Sequence, residues 1–453
     1  LIELIRLKNF VNKLYLSSPF LVKRIFANAE ALRRDRYRRF DKSEQVDFQK
    51  NMLERTSYFN VEQINDFIKD AADNVEYYAF LRGCRIESVK DFEQIPLLTK
   101  QIIREAMEKL ISKKVKNKKE LWAGSSSGST GMPLKYYRDK QSINIERLQY
   151  DAFYKYCGCD TNNKRVRISG VKVAKFDRQK PPFWLYIDKY KQLQCSAYHI
   201  SENSFRDYIK AIKKIGPAFA TGFPSGWAAL AELMIEDGSK YNGFKAIITD
   251  SEGLSTEQQK KIEKAFNCRV YQTYGLGEVG MCAVQCEKSH YHILPTYYVE
   301  VVDNEGKTVE DGTEGEIVVT DYYSRSYPFI RYGTGDLGIM RHDDCGCGIK
   351  TPYLTEIIGR IEDYILTKDG RKVKRLSLIV KPAIGIRESQ IIQVSKDQIV
   401  INVVPDVNFD EESMKNVIET AKEFVGDMNI SWKAVDKLER MQSGKLKFLI
   451  RKF

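Results

Sequence analysis

Residues 125–135 read Ser-Ser-Ser-Gly-Ser-Thr-Gly-Met-Pro-Leu-Lys, a run of hydroxyls and glycines closed by one basic side chain, Lys135. Glycine lets a backbone turn tightly and aim successive N–H groups at one point. Ser and Thr hydroxyls add donors around the same anion. Ser126, Ser127, Gly128, Ser129, Thr130 and Gly131 therefore form a candidate cradle for a polyphosphate. The run is not a Walker A loop, because Gly131 is followed by Met132 and Pro133 rather than by Lys and Ser or Thr. Taken alone, it also reads as a flexible Ser/Gly linker.

Working outward, residues 160–320 alternate short apolar runs with helical patterns, as α/β layers do. Residues 244–249 read as a buried strand, and Asp250-Ser251-Glu252 as the loop after it. A helix follows, capped by Ser255 with Gln258 at the capping-box position and with Ile262 and Phe266 facing inward. Residues 269–274 form the next strand, which delivers Gly275 and Glu278 to its carboxyl end, where α/β sheets bind ligands. Residues 298–302 and 316–320 predict a hairpin pair across a Gly-rich, acidic turn.

The character changes after Gly359. Residues 364–367 and 372–374 predict a hairpin about Lys368-Asp369-Gly370, and residues 398–404 a strand. Asp410 is the expected cap of a helix with Met414, Val417, Ile418, Ala421 and Val425 on one face. The expected fold is α/β. A large multi-layer N-terminal domain spans 1–359, its residues 1–84 mainly a helical lead-in, and a small α+β C-terminal domain spans 360–453.

A chain of 453 residues with 43% hydrophobic and 30% charged side chains buries a large core and makes two domains. No uncharged apolar stretch approaches the roughly 18 residues of a spanning helix, so no transmembrane segment is expected. Nine cysteines without regular spacing argue for a reducing cytoplasm over a disulfide scaffold. The chain begins at Leu1, so residues before it are an open question. Net charge is +12, densest in the five lysines of 113–119. That run lacks the interleaved aromatics that stack bases, so it reads as a solvated loop and no nucleic-acid partner is expected. Apolar pairs among basic residues in the first 40 positions fit an amphipathic helix broken near Ser17-Ser18-Pro19. It is expected to pack on its own domain or a partner subunit, with peripheral membrane contact as the alternative. Oligomeric state is not legible.

Further motifs give the loop its context. They are Thr221-Gly-Phe-Pro-Ser225 with Leu230-Ala231, Thr249-Asp-Ser-Glu252, Tyr274-Gly-Leu-Gly-Glu278, Tyr332-Gly-Thr-Gly-Asp336, Gly359-Arg-Ile-Glu-Asp363 and Ser443-Gly-Lys445. In this order the set resembles the adenylate-forming superfamily, and within it the phenylacetate–CoA ligase and CapK-type capsular-polysaccharide branch, over roughly residues 85–453. The resemblance implies an AMP-forming ligase: ATP and a carboxylic acid give an acyl-adenylate, and the acyl group passes to an acceptor.

Each motif then acquires an expected role. The loop at 126–131 binds the phosphates, and so does Lys135, although Leu134 intervenes where the family places its lysine directly after the proline. Glu278 holds Mg²⁺ between phosphates, an ion that favours few carboxylates plus phosphate and water oxygens. Gly277 stands where the family carries Thr or Ser, so a hydroxyl contact is missing there. Tyr274 and Gly275 lie against adenine, Asp336 accepts the ribose hydroxyls and Arg360 reaches the ribose or phosphates. As a bare Thr-Gly-Asp, the Asp336 segment also reads as an ordinary turn. Lys445 is the mobile lysine brought to the α-phosphate during adenylation. Glu362 occupies the family's hinge position, which usually carries Asp, and Asp363 follows it.

Cys286, His292, Cys345 and Cys347 suit a tetrahedral Zn²⁺ site, with Cys282 and His290 as competing ligands and reduced buried cysteines as the alternative. Similar positions form a structural zinc site in the phenylacetate–CoA ligase branch. By resemblance Phe183-Trp184, residues 221–225 and Asp250-Ser251-Glu252 line the acyl pocket, Ser251 and Glu252 touching the nucleotide side as well. No stretch is diagnostic for CoA. A CoA-like thiol is the expected acceptor, with an amine or hydroxyl of a sugar or carrier as the alternative. A basic nucleotide-binding protein without turnover is the reading from a different class.

Overall fold

The structure, a computed structural model, describes residues 15, 17–36, 60–125, 134–175, 178–360, 364–368, 372–373, 376–380, 382–440 and 446–453. Its large N-terminal domain is built on a twelve-stranded sheet. In one half, Gln192–Ser196, Arg165–Ser169, Phe219–Gly222, Ala246–Thr249 and Arg269–Leu276 lie side by side and parallel. Phe219–Gly222 and Ala246–Thr249 are buried along their whole length, as expected of parallel strands covered on both faces.

The helices Pro224–Glu236 and Thr256–Phe266 supply that cover. The second begins with the expected Ser255–Gln258 capping box and stops at Asn267, which takes the left-handed conformation. Trp227, fully buried, donates its ring N–H to the carbonyl of Thr221 at 2.8 Å and meets Phe244 and Phe266 edge-on. Burying such a ring contributes about 1.5–3 kcal/mol, and its hydrogen bond removes the penalty of an unsatisfied N–H.

The other half of the sheet is antiparallel. Gly280–Gln285, Tyr291–Ile293, Tyr353–Arg360, Tyr332–Arg341, Glu314–Asp321 and Tyr297–Val302 continue from the far edge of Arg269–Leu276. Arg269–Leu276 is thus shared by both halves, and its carboxyl end lies where strand direction changes. A short hairpin, Trp122–Ser125 with Lys135–Arg138, brackets residues 126–133.

The small C-terminal domain carries a four-stranded sheet in the order Asn429–Ala434, Gln398–Asp410, Ile384–Ser395, Leu449–Arg451. Helix Ser413–Val425 packs Met414, Val417, Ala421 and Val425 onto Ile391, Ile399, Ile401 and Val403. Asp410 is not its cap. The preceding strand runs through Asp410, which pairs with Ile384, and the helix starts after Glu412 without a side-chain cap. The Asp410 carboxylate instead accepts the Glu412 N–H at 3.0 Å.

Helix Phe20–Arg36 follows Pro19 and packs on the edge strand Trp184–Ile187, with Arg24 ion-paired to Asp188 at 2.8 Å. Leu21, Ile25, Phe26 and Leu32 remain exposed on it. The first fourteen residues of the expected amphipathic stretch lie outside the described residues. Helix Val61–Asn74 is integral to the main core through Ile64, Phe67, Ile68 and Ala71. In the lysine run, Lys114 and Lys118 pair with Asp70 and Glu108 at the surface, contacts worth little. No described helix is long and apolar enough to cross a membrane.

Candidate active site

The residues singled out at the junction of the two half-sheets converge. Asp336 lies on Tyr332–Arg341 directly opposite Arg360 in the register of the adjacent strand. Its Oδ1 is 3.0 Å from Arg360 Nε, and its Oδ2 accepts the Tyr274 hydroxyl at 3.0 Å. Burial, then the neighbouring Asp336 charge, push the Tyr274 phenol well above its ordinary pKa, so it is a firm donor. Gly275 is glycine because a side chain there would strike the backbone of Gly280 on the neighbouring strand.

Glu278 is buried just beyond the same strand end, and its Oε1 accepts the Tyr332 hydroxyl at 2.7 Å. Tyr136 faces it from the hairpin strand. Burial, then Glu278, push that phenol up to about 12. Lys135 is exposed at the start of the same strand. Residues 126–131 and the hinge pair Glu362 and Asp363 lie outside the described residues, as does Lys445.

Beneath this surface Arg331 is wholly buried and spends its guanidinium on Glu300 and on the carbonyls of Glu93, Ile95 and Gly306. Breaking such a pair from one side costs about 3–5 kcal/mol, so Arg331 anchors the start of the strand that carries Asp336. A second buried network joins Arg138 to Glu146 at 2.7 Å and to Ser142, whose hydroxyl donates to Asp321. Burial pushes the Asp321 carboxyl up to about 7.

Toward the small domain, Ser251 adopts a left-handed φ of 71° and donates to Asp250, whose carboxylate is clamped by Arg167 at 2.6 and 2.8 Å. Glu252 receives the Ser225 N–H at 3.2 Å and, across the domain boundary, the N–H of Leu446 at 3.4 Å. Arg440 of the small domain reaches Ser225 and Glu388. Arg387 forks onto Glu236 at 2.6 and 2.7 Å, and Lys261 joins Glu232 to Asp406.

Sequence reasoning missed Tyr332 as a partner of Glu278, and it missed Lys100, whose ammonium donates to the Thr334 carbonyl at 2.6 Å beside Asp336. Tyr332 lay within a quoted motif. Lys100 gave no signal, because its relevance depends on a contact 234 residues away.

The cysteine–histidine group lies apart from this cluster. The ligand atoms of Cys286, His292, Cys345 and Cys347 all fall within 4.8 Å of one another. Cys286 and Cys345 sulfurs are 3.8 Å apart, the spacing that two Zn–S bonds of about 2.3 Å subtend at a tetrahedral ion. His292 Nδ1 is 2.9 Å from the Thr351 carbonyl. A carbonyl only accepts, so Nδ1 carries the hydrogen and Nε2, 3.2 Å from Cys347 sulfur, offers a lone pair. Burial raises the Cys286 thiol pKa, but its contacts with the His292 ring, two backbone groups and Cys347 bring it down to about 6 overall. His290 stands beside Cys345 at 3.3 Å, stacked on Tyr353, whereas Cys282 lies in the Arg138–Asp321 region. The donor set fits zinc.

Comparison with known proteins bears on the fold and the enzyme class. A family model described as AMP-binding enzyme matches residues 195–324, and one described as CapK C-terminal domain matches 365–452. The chain is similar to Protein CapK of Staphylococcus aureus, 26% identical over 403 residues that cover 86% of this chain and 88% of that protein. A phenylacetate-coenzyme A ligase of Thermus thermophilus is 28% identical over 24% of this chain and 26% of its own length. Among solved structures, 2-hydroxyisobutyryl-CoA ligase in its postadenylation state superposes with a TM-score of 0.68 at 17% identity, covering 86% of this chain and 88% of that one. The same enzyme in its thioesterification state gives 0.52 at 18% identity, covering 92% and 91%. With an AMP-binding enzyme domain over residues 195–324 followed by a CapK C-terminal domain over 365–452 on this fold, the chain is an AMP-forming ligase that resembles the adenylate-forming superfamily.

Proposed function

We propose that this ligase activates a carboxylic acid in the cleft between its two domains and passes the acyl group to a CoA-like thiol. A carboxylate oxygen attacks the α-phosphorus of ATP, the bond to the β-phosphate breaks, and pyrophosphate leaves. The thiol sulfur then attacks the acyl carbonyl and AMP departs. The first step brings anions together, so charge neutralisation dominates its barrier.

The observation that carries this reading is the Leu446 N–H held on Glu252. It tethers the residue after Lys445 to the loop that follows the parallel strand Ala246–Thr249, whose Glu252 carbonyl is held by Gln272 of the strand that carries Tyr274. Lys445 in this arrangement serves the α-phosphate. Residues 126–131 and Lys135 bind the outer phosphates, and Tyr274, Asp336 and Arg360 bind adenine and ribose. Glu278, whose Oε1 accepts the Tyr332 hydroxyl, would hold Mg²⁺, and the ion would supply charge for the phosphates. Cys286, His292, Cys345 and Cys347 hold a structural zinc. Glu362 and Asp363 are the pivot on which the small domain turns between the half-reactions. The higher TM-score to a postadenylation form than to a thioesterification form of one ligase supports the adenylation-side arrangement.

A second reading concerns the acceptor alone. The small domain matches the CapK C-terminal domain, and on that resemblance the alternative acceptor is an amine or hydroxyl of a sugar or carrier in surface-polysaccharide synthesis. Acid-dependent ATP–pyrophosphate exchange against a panel of carboxylic acids tests activation itself. Product analysis with thiol, amine and hydroxyl acceptors then separates the two readings. Absence of exchange with every acid of the panel, in protein that binds ATP, would favour a nucleotide-binding protein without turnover.

A further inference from the structure

Two glycines on separate strands are bare at the places that one tyrosine fills. Gly124 is the direct cross-strand neighbour of Tyr136 in the hairpin around residues 126–133, and a side chain on Gly124 would run into the Tyr136 ring. Gly277 lies past the carboxyl end of Arg269–Leu276, and a Cβ built there would stand 2.6 Å from the Tyr136 hydroxyl oxygen. The ring therefore crosses its partner strand and lays its hydroxyl where a short side chain of residue 277 would lie, next to Glu278. Packing explains the ring. It does not explain why the hydroxyl of this buried tyrosine is set against Gly277, beside the Glu278 carboxylate.

We propose that the Tyr136 hydroxyl is a nucleotide-binding group, donating a hydrogen bond to a phosphate oxygen of ATP from the position left open by Gly277. The proposal rests on the reading of residues 126–131 and Glu278 as the phosphate site. A neutral phenol is a donor at neutral pH, and it adds no charge beside Glu278. The arrangement also accounts for glycine at 277. Any larger residue competes with the phenol for one space, so the hydroxyl comes from either 136 or 277 but not from both.

The test uses the full-length protein with Mg²⁺. Calorimetry with ATP and with adenosine reads binding, and acid-dependent pyrophosphate exchange reads turnover. Tyr136→Phe keeps the ring and should weaken ATP binding about 10-fold, the scale of one hydrogen bond to a charged group, while leaving adenosine affinity unchanged. Gly277→Ser alone should also weaken ATP binding, because its Cβ crowds the phenol oxygen. In the Tyr136→Phe background that oxygen is gone and the nearest ring carbon, Cζ, lies 3.5 Å from the Cβ, an ordinary contact. Gly277→Ser should there recover most of the lost ATP affinity, and Gly277→Ala should not.

Unchanged ATP affinity in Tyr136→Phe overturns the proposal, whatever the exchange assay shows. Equal recovery by Ser and Ala also overturns it, because a filled space rather than a hydroxyl would then be the cause. If the parent binds ATP yet exchanges with no acid, the activation reading fails. The tyrosine contact is still decided by the binding arm.

Discussion

The main-chain N–H of Leu446 donates to Oε1 of Glu252 across 3.4 Å, which joins the segment holding Lys445 to the loop after the parallel strand Ala246–Thr249. Glu252 also accepts the Ser225 N–H, so one carboxylate spans a helix start of the large domain and the tail of the small one. Such a tie is weak and reversible, as suits the proposed turning of the small domain between half-reactions.

The stronger part of that interface is ionic. Arg387 puts its guanidinium on both oxygens of Glu236, with both side chains largely shielded from water. Arg387→Ala should loosen the small domain, lowering pyrophosphate exchange about 3- to 10-fold, the scale of a partly buried pair. Small-angle scattering should record a larger mean radius of gyration in the variant. Unchanged scattering together with unchanged exchange would mean that this pair does not hold the adenylation arrangement.

Tyr274 and Arg360 orient the two oxygens of Asp336. Tyr274→Phe removes one donor without changing the ring, so the ATP KM should rise about 10-fold with kcat nearly unaltered. Asp336→Ala should cost about 10²-fold in kcat/KM for ATP, because the ribose loses its acceptor and Arg360 its partner. Equal, small effects from both would place the ribose elsewhere.

With four ligand atoms inside 4.8 Å, purified protein prepared without chelator should contain about one zinc per chain. Cys347→Ser should lower the metal content and the thermal midpoint together, since a structural ion binds only the folded chain. Full stability in a metal-free preparation would reduce the group to buried cysteines and histidine.

Asp321 supplies a pH signature. The folded protein keeps this carboxyl protonated up to about pH 7, whereas in the unfolded chain it ionises near pH ~3.9. Burying the charge is the cost, so stability is lost as pH rises through that window and the loss is complete above it. Asp321→Asn cannot ionise. Its unfolding free energy should gain on the parent's between pH 5 and pH 7.5, by on the order of 1–3 kcal/mol, and the denaturation midpoint should rise with it. Parallel midpoints across that range would contradict the assignment.

Local signals made the α/β half of the fold legible. Ser255 and Gln258 announced a helix start, and the apolar triplet Ala246-Ile247-Ile248 announced a buried strand. Asp410 misled, because an Asp before an apolar stripe signals a cap whether or not the strand before it runs on. Long-range pairing set the outcome there, through a ladder that reaches Ile384. At the candidate site, motif residues such as Asp336, Tyr274 and Glu278 were legible as a set. Their partners were less so: Lys100 and Tyr136 belong to the site only because distant strands bring them there. Gly277 showed where a hydroxyl was wanting, but nothing in the linear chain said that residue 136 would fill the space.

The central claim is that the tail of the small domain delivers Lys445 to the reacting phosphate. Acid-dependent ATP–pyrophosphate exchange, measured for the parent and for Lys445→Ala with the best acid from a panel, tests it most directly. The account predicts exchange by the parent and a loss of about 10²-fold or more in the variant, the scale of one transition-state charge contact, with ATP affinity little changed. A Lys445→Ala protein that exchanges at the parent rate would contradict it.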